Sequence, residues 1–209
     1  MIHLKKLEWF GVLLITIGSF SFVYYFITWY DSTKTVETLT GTEIKKYQSI
    51  NNLTDHKQTL LEPEKQFPSS QVQHQQGEQI AYMVIPKIKR KYQVYWGADD
   101  KTLKKGVGMF VSDITSTPSG NGHTVLSGHR DTVFTDLGDL QENDYILLEY
   151  HNKIYAYQIR KHWITDANDM SVIVAKDKPT LTLTTCYPFN YIGDAPNRYI
   201  IESSLVAVQ

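Results

Sequence analysis

Three textures follow one another along the chain. From Trp9 to Tyr30 no residue is charged, and the run is rich in Leu, Ile, Val and Phe. At about 1.5 Å per residue, a helix over this run spans roughly 33 Å, enough for the hydrocarbon core of a bilayer. Trp9, Tyr24, Tyr25, Trp29 and Tyr30 lie towards its ends, where amphipathic rings favour the membrane interface. A cleavable signal sequence exits through small residues, whereas this run leaves through Thr28-Trp29-Tyr30-Asp31. The pattern predicts a retained single-pass anchor. Lys5 and Lys6 precede it, so the N-terminus is expected in the cytoplasm and everything after residue 30 outside the cell.

The second texture covers residues 31–79. Ile44, Tyr47, Ile50, Leu53, Leu60 and Leu61 give a weak helical spacing, interrupted by Asn51-Asn52. Glu62 to Gln79 is rich in Gln, holds Pro63 and Pro68, and has few apolar residues to offset the entropy of ordering. These residues are expected to form an extracellular stalk ending in a flexible linker.

From Ile80 onward, short runs of β-branched and aromatic residues alternate with turn residues. The predicted strands are Ala81–Ile85, Tyr92–Trp96, His123–Ser127, Tyr145–Tyr150, Ile154–Ile164, Leu181–Thr185 and Tyr199–Val206, with turns at Gln141–Asp144 and Asn152-Lys153. Short helical pieces are expected at Asp99–Lys105, near Thr132–Leu140 and near Ala167–Ala175. This texture predicts an all-β barrel or sandwich with short helices over residues 80–209. It follows the stalk of residues 31–79 and the cytoplasmic tip and transmembrane anchor of residues 1–30.

Composition narrows the picture. Aromatic residues make up 12% of the chain, with 14 tyrosines, and such side chains suit a pleated surface. The formal net charge of -1 supplies no electrostatic footprint for nucleic acid. The single cysteine excludes an internal disulfide, so the domain must hold together by packing. Taken alone, it reads equally well as a small buried filler.

Its surroundings favour chemistry. Cys186 ends the alternating run Leu181-Thr182-Leu183-Thr184-Thr185 and is followed by Tyr187-Pro188, where a central strand cannot continue. His129 ends the run Thr124-Val125-Leu126-Ser127-Gly128 and opens the polar segment Arg130-Asp131-Thr132. Arg198 begins the last strand after the loop from Tyr187 to Asn197, so antiparallel pairing places it across from Cys186. A thiol, an imidazole and a guanidinium at one strand end make an acyl-transfer site. A neighbouring cation favours the nucleophilic thiolate. An imidazole can protonate a leaving amine and deprotonate an incoming one. A guanidinium is a permanent donor to an oxyanion. The backbone N–H of Tyr187 is a candidate second donor. Ser127, Thr185 and Tyr187 adjoin the site as candidate substrate contacts. On the structural reading, Thr185 is an ordinary strand residue, and Tyr187, Phe189 and Tyr191 pack the loop.

Thr182-Leu183-Thr184-Thr185-Cys186 resembles the TLxTC nucleophile motif of the sortase family, and Leu126-Ser127-Gly128-His129-Arg130 resembles its histidine strand. The order His, Cys, Arg and the N-terminal anchor agree. The resemblance covers about Ile80 to Val206, and the short His129-Arg130-Asp131 turn and compact length are similar to class D. It implies an eight-stranded barrel with the site at one end and a substrate protein bearing an LPxT-type C-terminal sorting signal. It further implies cleavage after Thr through a thioacyl-enzyme, and transfer to an amine. That amine belongs to a lipid-linked cell-wall precursor in anchoring members and to a pilin lysine in polymerising ones. Glu62–Gln79 lacks the acidic lid motif of the pilin type, which favours wall anchoring. No calcium site is carried over, and no cofactor or metal is expected.

Other readings predict different behaviour. Six residues of extended strand separate His123 from His129 by about 20 Å, so only one reaches Cys186, and a zinc site from the three fails. His123 is expected to be a rim or core histidine, and Arg130 and Asp131 a surface pair, with contact to substrate as the alternative. A papain-like peptidase has Cys before His, and a phosphatase loop has Arg soon after the nucleophile; neither order occurs here. A membrane-anchored adhesion or sensing domain would keep its function without Cys186.

Overall fold

The computed structural model describes residues 2–54, 65–190, 193 and 195–209. Residues 55–64 of the expected linker, and Tyr191, Ile192 and Asp194, lie outside the described residues. Helix α1 (Ile2–Thr33) contains Glu8–Ile27, a 20-residue stretch long and apolar enough to cross a membrane. Its large apolar side chains from Trp9 to Ile27 stand exposed, as lipid-facing residues would.

Among the described residues nine strands follow: β1 (Val36–Thr38), β2 (Gln79–Ile85), β3 (Arg90–Trp96), β4 (Val107–Met109), β5 (His123–Ser127), β6 (Tyr145–Tyr150), β7 (Lys153–Asp166), β8 (Thr180–Tyr187) and β9 (Asn197–Val208). They form one sheet in the order β1-β3-β2-β6-β7-β9-β8-β5-β4, and β3 also pairs with β4. That last pairing closes the sheet. With β1 outside the ring, the nine strands leave an eight-stranded barrel. The seven predicted strands are all present, β5 and β6 with the predicted bounds and the other five with extended ends. Strands β1 and β4 are additional, each only three residues long. Strand β4 has Gly108 at its centre, where an added Cβ would lie 2.5 Å from the carbonyl oxygen of Gly97. A run this short, holding a glycine for close backbone approach, leaves no alternation to read.

Local chemistry explains the turns. Strands β6 and β7 join through His151 and Asn152, both at positive φ (49° and 60°), the twist a two-residue hairpin needs. Helix α3 (Asp100–Leu103) is capped by Asp99, whose carboxylate accepts from the amides of Lys101 and Thr102. The helix expected near Ala167–Ala175 is not formed. Asp166 instead accepts from the amide of Asn168 (2.8 Å) and Asp169 from that of Ser171 (2.9 Å), so local side-chain turns replace helical bonding.

The barrel interior is filled by alternate residues of every long strand. Met83, Tyr92, Leu126, Leu148, Tyr157, Leu183 and Ile201 meet there with Phe134 and Leu137 from the β5–β6 connection.

The stalk expectation needs correction. Val84, Leu147 and Ala156 stand side by side on the outer face of β2, β6 and β7, an apolar stripe that water would otherwise meet. Leu39 and Tyr47 cover it, and Tyr47 is 1% exposed. The Tyr47 hydroxyl donates to Glu149 at 2.8 Å. Tyr47 lies on α2 (Gly41–Thr54), whose start carries a capping box. The amide of Thr40 donates to Glu43 at 2.9 Å, and the amide of Glu43 to the Thr40 hydroxyl at 3.4 Å. Farther on, Ser69 is buried, and its hydroxyl lies 3.1 Å from the carbonyl oxygen of Ser112, which accepts, and 2.8 Å from the hydroxyl of Thr115. Within residues 31–79, then, the parts around β1, α2 and Ser69 are built into the barrel's surface.

Candidate active site

Alternation along β8 decides which way its residues face. Leu181 and Leu183 point into the core, and Tyr187 packs against the same core. Thr182, Thr184 and Cys186 therefore face outward. Cys186 is half-buried and lies directly opposite Arg198 in the antiparallel β8–β9 pairing. Strand β5 pairs with β8 in parallel, Ser127 beside Thr184, which brings His129 to the same level. A cleft of about 320 Å³ opens here, lined by Ser127, His129, Thr184, Thr185, Cys186 and Arg198. It lies on the outer wall of the barrel near the strand ends, a correction to the expectation of a site at the barrel's end.

Each group is held by its neighbours. The Thr185 hydroxyl donates to the carbonyl of Gly128 at 2.7 Å, tying the cysteine strand to the residue before His129. An added Cβ at Gly128 would lie 2.7 Å from Val133 and 2.8 Å from Phe134, so only glycine lets this turn pack. The turn is closed by the Phe134 amide donating to the His129 carbonyl at 2.9 Å. Arg130, 9% exposed, donates through Nη2 to the carbonyl of Gly193 at 2.7 Å and links this turn to the β8–β9 loop. Arg198 donates through Nη1 to the carbonyls of Ala195 (3.2 Å) and Asn197 (3.1 Å). Those bonds orient the fork, and Nε and Nη2 carry three further N–H donors.

The cleft's walls were not read from the sequence. One is the β7–β8 loop, with Ala167, Asp169, Val172 and Ile173; the other holds Ala98, Leu103 and Phe110. Asp169 braces the first wall: it accepts from the hydroxyls of Thr165 and Ser171. Those bonds hold its carboxyl below the usual range. Tyr187, a candidate substrate contact, does not line the cleft. It faces the opposite side of β8 and packs against Phe189 and Tyr199 (ring centroids 5.7 and 6.2 Å). The same one-residue parity that turns Cys186 outward turns Tyr187 inward. Thr185 lines the cleft, but its hydroxyl is spent on Gly128. Among the described residues no group of three or more His, Cys, Asp or Glu side chains is placed to hold a metal ion.

The Sortase domain family model matches residues 83–206, more than half of the chain. The chain belongs to the sortase family. The sortase domain is 42% identical to Sortase D of Bacillus subtilis (strain 168) over 131 residues, 62% of this chain. The match spans 65% of that relative's length. Among solved structures, the catalytic domain of B. anthracis SrtD is 67% identical (TM-score 0.58), covering 67% of this chain and 95% of that one. Sortase C from Clostridium perfringens SM101 is 28% identical (TM-score 0.57), covering 81% of this chain and 92% of that one. The class D resemblance seen in the sequence accords with the first two relatives.

Proposed function

We propose that the protein is a membrane-anchored cysteine transpeptidase of class D, working outside the cell with its N-terminus in the cytoplasm. Its substrate is a protein with an LPxT-type sorting signal, and its acceptor an amine of a lipid-linked cell-wall precursor. The observation that carries this reading is the pairing of Cys186 with Arg198 across one ladder, with His129 lining the same cleft.

The residues divide the chemistry as follows. The Cys186 thiolate attacks the carbonyl carbon of the Thr, and the carbonyl electron pair moves onto oxygen. Arg198 donates hydrogen bonds to that oxyanion, a charge that exists only along the reaction path. As the oxyanion collapses, the C–N bond breaks and His129 supplies the proton that the departing amine needs. A thioester on Cys186 remains. An incoming amine gives a proton to His129, attacks the thioester carbonyl and releases the thiolate. Ser127, which lines the cleft, contacts the peptide in this reading.

The full chain in detergent should be incubated with LPxT-type peptides together with cell-wall-type amines or a pilin-type lysine, and products read by mass spectrometry. Residues 31–79 belong in the experiment because Leu39, Tyr47 and Ser69 complete the barrel's packing. The expected result is cleavage after Thr, a thioacyl adduct on Cys186 and transfer to the cell-wall-type amine. Transfer to the pilin lysine alone would replace the acceptor. No adduct with any peptide would overturn the reading.

A further inference from the structure

His123 is a buried titratable group for which the acyl-transfer chemistry has no use. It is 1% exposed, and both ring nitrogens are bonded. Nδ1 lies 2.6 Å from the carbonyl oxygen of Val174, and Nε2 lies 2.8 Å from the hydroxyl of Thr182. A carbonyl can only accept, so the ring's proton sits on Nδ1, and Nε2 accepts from Thr182. These two partners join different parts of the site. Thr182 is on β8, four residues before Cys186 and on the same face. Val174 is on the β7–β8 loop, immediately after Val172 and Ile173 of the cleft wall.

We propose that His123 is a positioning residue for peptide binding: held on β5, which is paired to the nucleophile's strand, and oriented by Thr182, its ring ties down the wall loop at Val174 and thereby sets where Val172 and Ile173 stand relative to Cys186. This deepens the transpeptidase reading and rests on it for its kinetic test.

Two further contacts hold the same leg of the loop. Lys176 pairs with Glu202 of β9 at 2.9 Å, and Gln66 donates to the carbonyl of Lys176 at 2.7 Å. Both act on Lys176, two residues beyond Val174 along the chain, so the bond to the imidazole is the one nearer in sequence to Val172 and Ile173. The groups whose charge bears on the ring are Lys176 from the loop and Glu202 from β9. Burial, chiefly, pushes the ring's pKa below its ordinary value. The Val174 carbonyl and Glu202 pull it up, and Lys176 pushes it down. The ring is thus neutral at neutral pH and supplies geometry without charge.

Three variants of the full chain separate the two bonds. His123→Asn keeps a donor near the Nδ1 position and loses the Thr182 partner. His123→Gln reaches towards Thr182 and loses the Val174 bond. His123→Ala loses both. For a sorting peptide, the alanine and glutamine variants are expected to raise KM about tenfold, the size of one lost hydrogen bond, with kcat within about twofold. The asparagine variant should restore KM. Amide hydrogen exchange of residues 172–175 should speed up in the first two and stay slow in the third. An unchanged KM in all folded variants, or an asparagine variant that behaves like glutamine, would overturn the proposal. Should the alanine variant not fold, the asparagine and glutamine pair decides. Wild-type protein that turns over no peptide would remove the transpeptidase reading, and the exchange rates would still test the bridge.

Discussion

On the outer face of the wall formed by β5, β8 and β9, His123 stands at one end and His129 just beyond the other. Both have the same strand parity and face the same side. Around His123 the sheet is closed over by Val174 and Lys176 of the β7–β8 loop, and Thr182 and Glu202 complete a bonded cluster. Around His129 the same loop stands away from the sheet and leaves the cleft with Cys186 and Arg198. In the proposed chemistry, a histidine serves as a structural anchor or as a proton carrier according to what the loop above it does. A buried polar group that is fully bonded specifies geometry, whereas a half-buried one beside a nucleophile is open to a substrate.

The contrast can be broken from either end. The largest effect is expected at the open end: Cys186→Ala should reduce turnover by at least about 10⁴-fold and abolish the thioacyl adduct, with an unchanged melting temperature. An adduct or turnover surviving in this variant would show that the cleft is not the reactive site. Arg198→Lys should lower kcat by about 10²-fold or more, because a point charge does not reproduce a fork that aims several donors at an oxyanion. Near-normal kcat would reduce the role of Arg198 to simple attraction.

Thr185→Val probes the bond that joins the two strands of the site. Losing the bond to Gly128 should cost about 1–2 kcal/mol of stability in denaturant unfolding and lower turnover by about tenfold. A stability loss with full turnover would make the bond purely structural. The smallest effect is expected at the closed end. Burial raises the carboxyl pKa of Glu202, but Lys176 and Lys161 outweigh it and hold it below the ordinary value. A depressed carboxyl stabilises the fold above its unfolded pKa of about 4.3, and that stability is lost as pH falls through the folded value. Glu202→Gln should therefore lower the melting temperature by a few degrees at pH 7, with the gap to wild type narrowing below about pH 4, and should leave turnover within about threefold. A gap independent of pH would show that charge is not what Glu202 contributes.

Much of the barrel was legible because its long strands are runs of β-branched and aromatic residues bounded by turn residues, as in β6 and β7, and because β8 also alternates apolar with polar positions. The pairing of Cys186 with Arg198 was legible for the same reason: one loop joins their strands, and antiparallel register follows. The docked N-terminal region was not. The signal for α2, the Thr40-Gly41-Thr42-Glu43 capping box, stands in the sequence, but the surface that α2 covers is made of Val84, Leu147 and Ala156 from three different strands. The cleft walls were hidden too, because Val172 and Ile173 reach the site only through contacts such as His123 with Val174.

The sequence by itself determined the apolar helix, the strand runs, the motif around Cys186 and the facing of His123 and His129, since each is written in a local stretch of chain, as a long apolar run, a string of adjacent residues or a period of two. Only the tertiary structure decided that the cleft lies on the outer wall, that Tyr187 turns away from it, and that one histidine is sealed while the other is open. Those outcomes depend on which distant segment comes to cover which face, and that is settled by burying complementary surfaces.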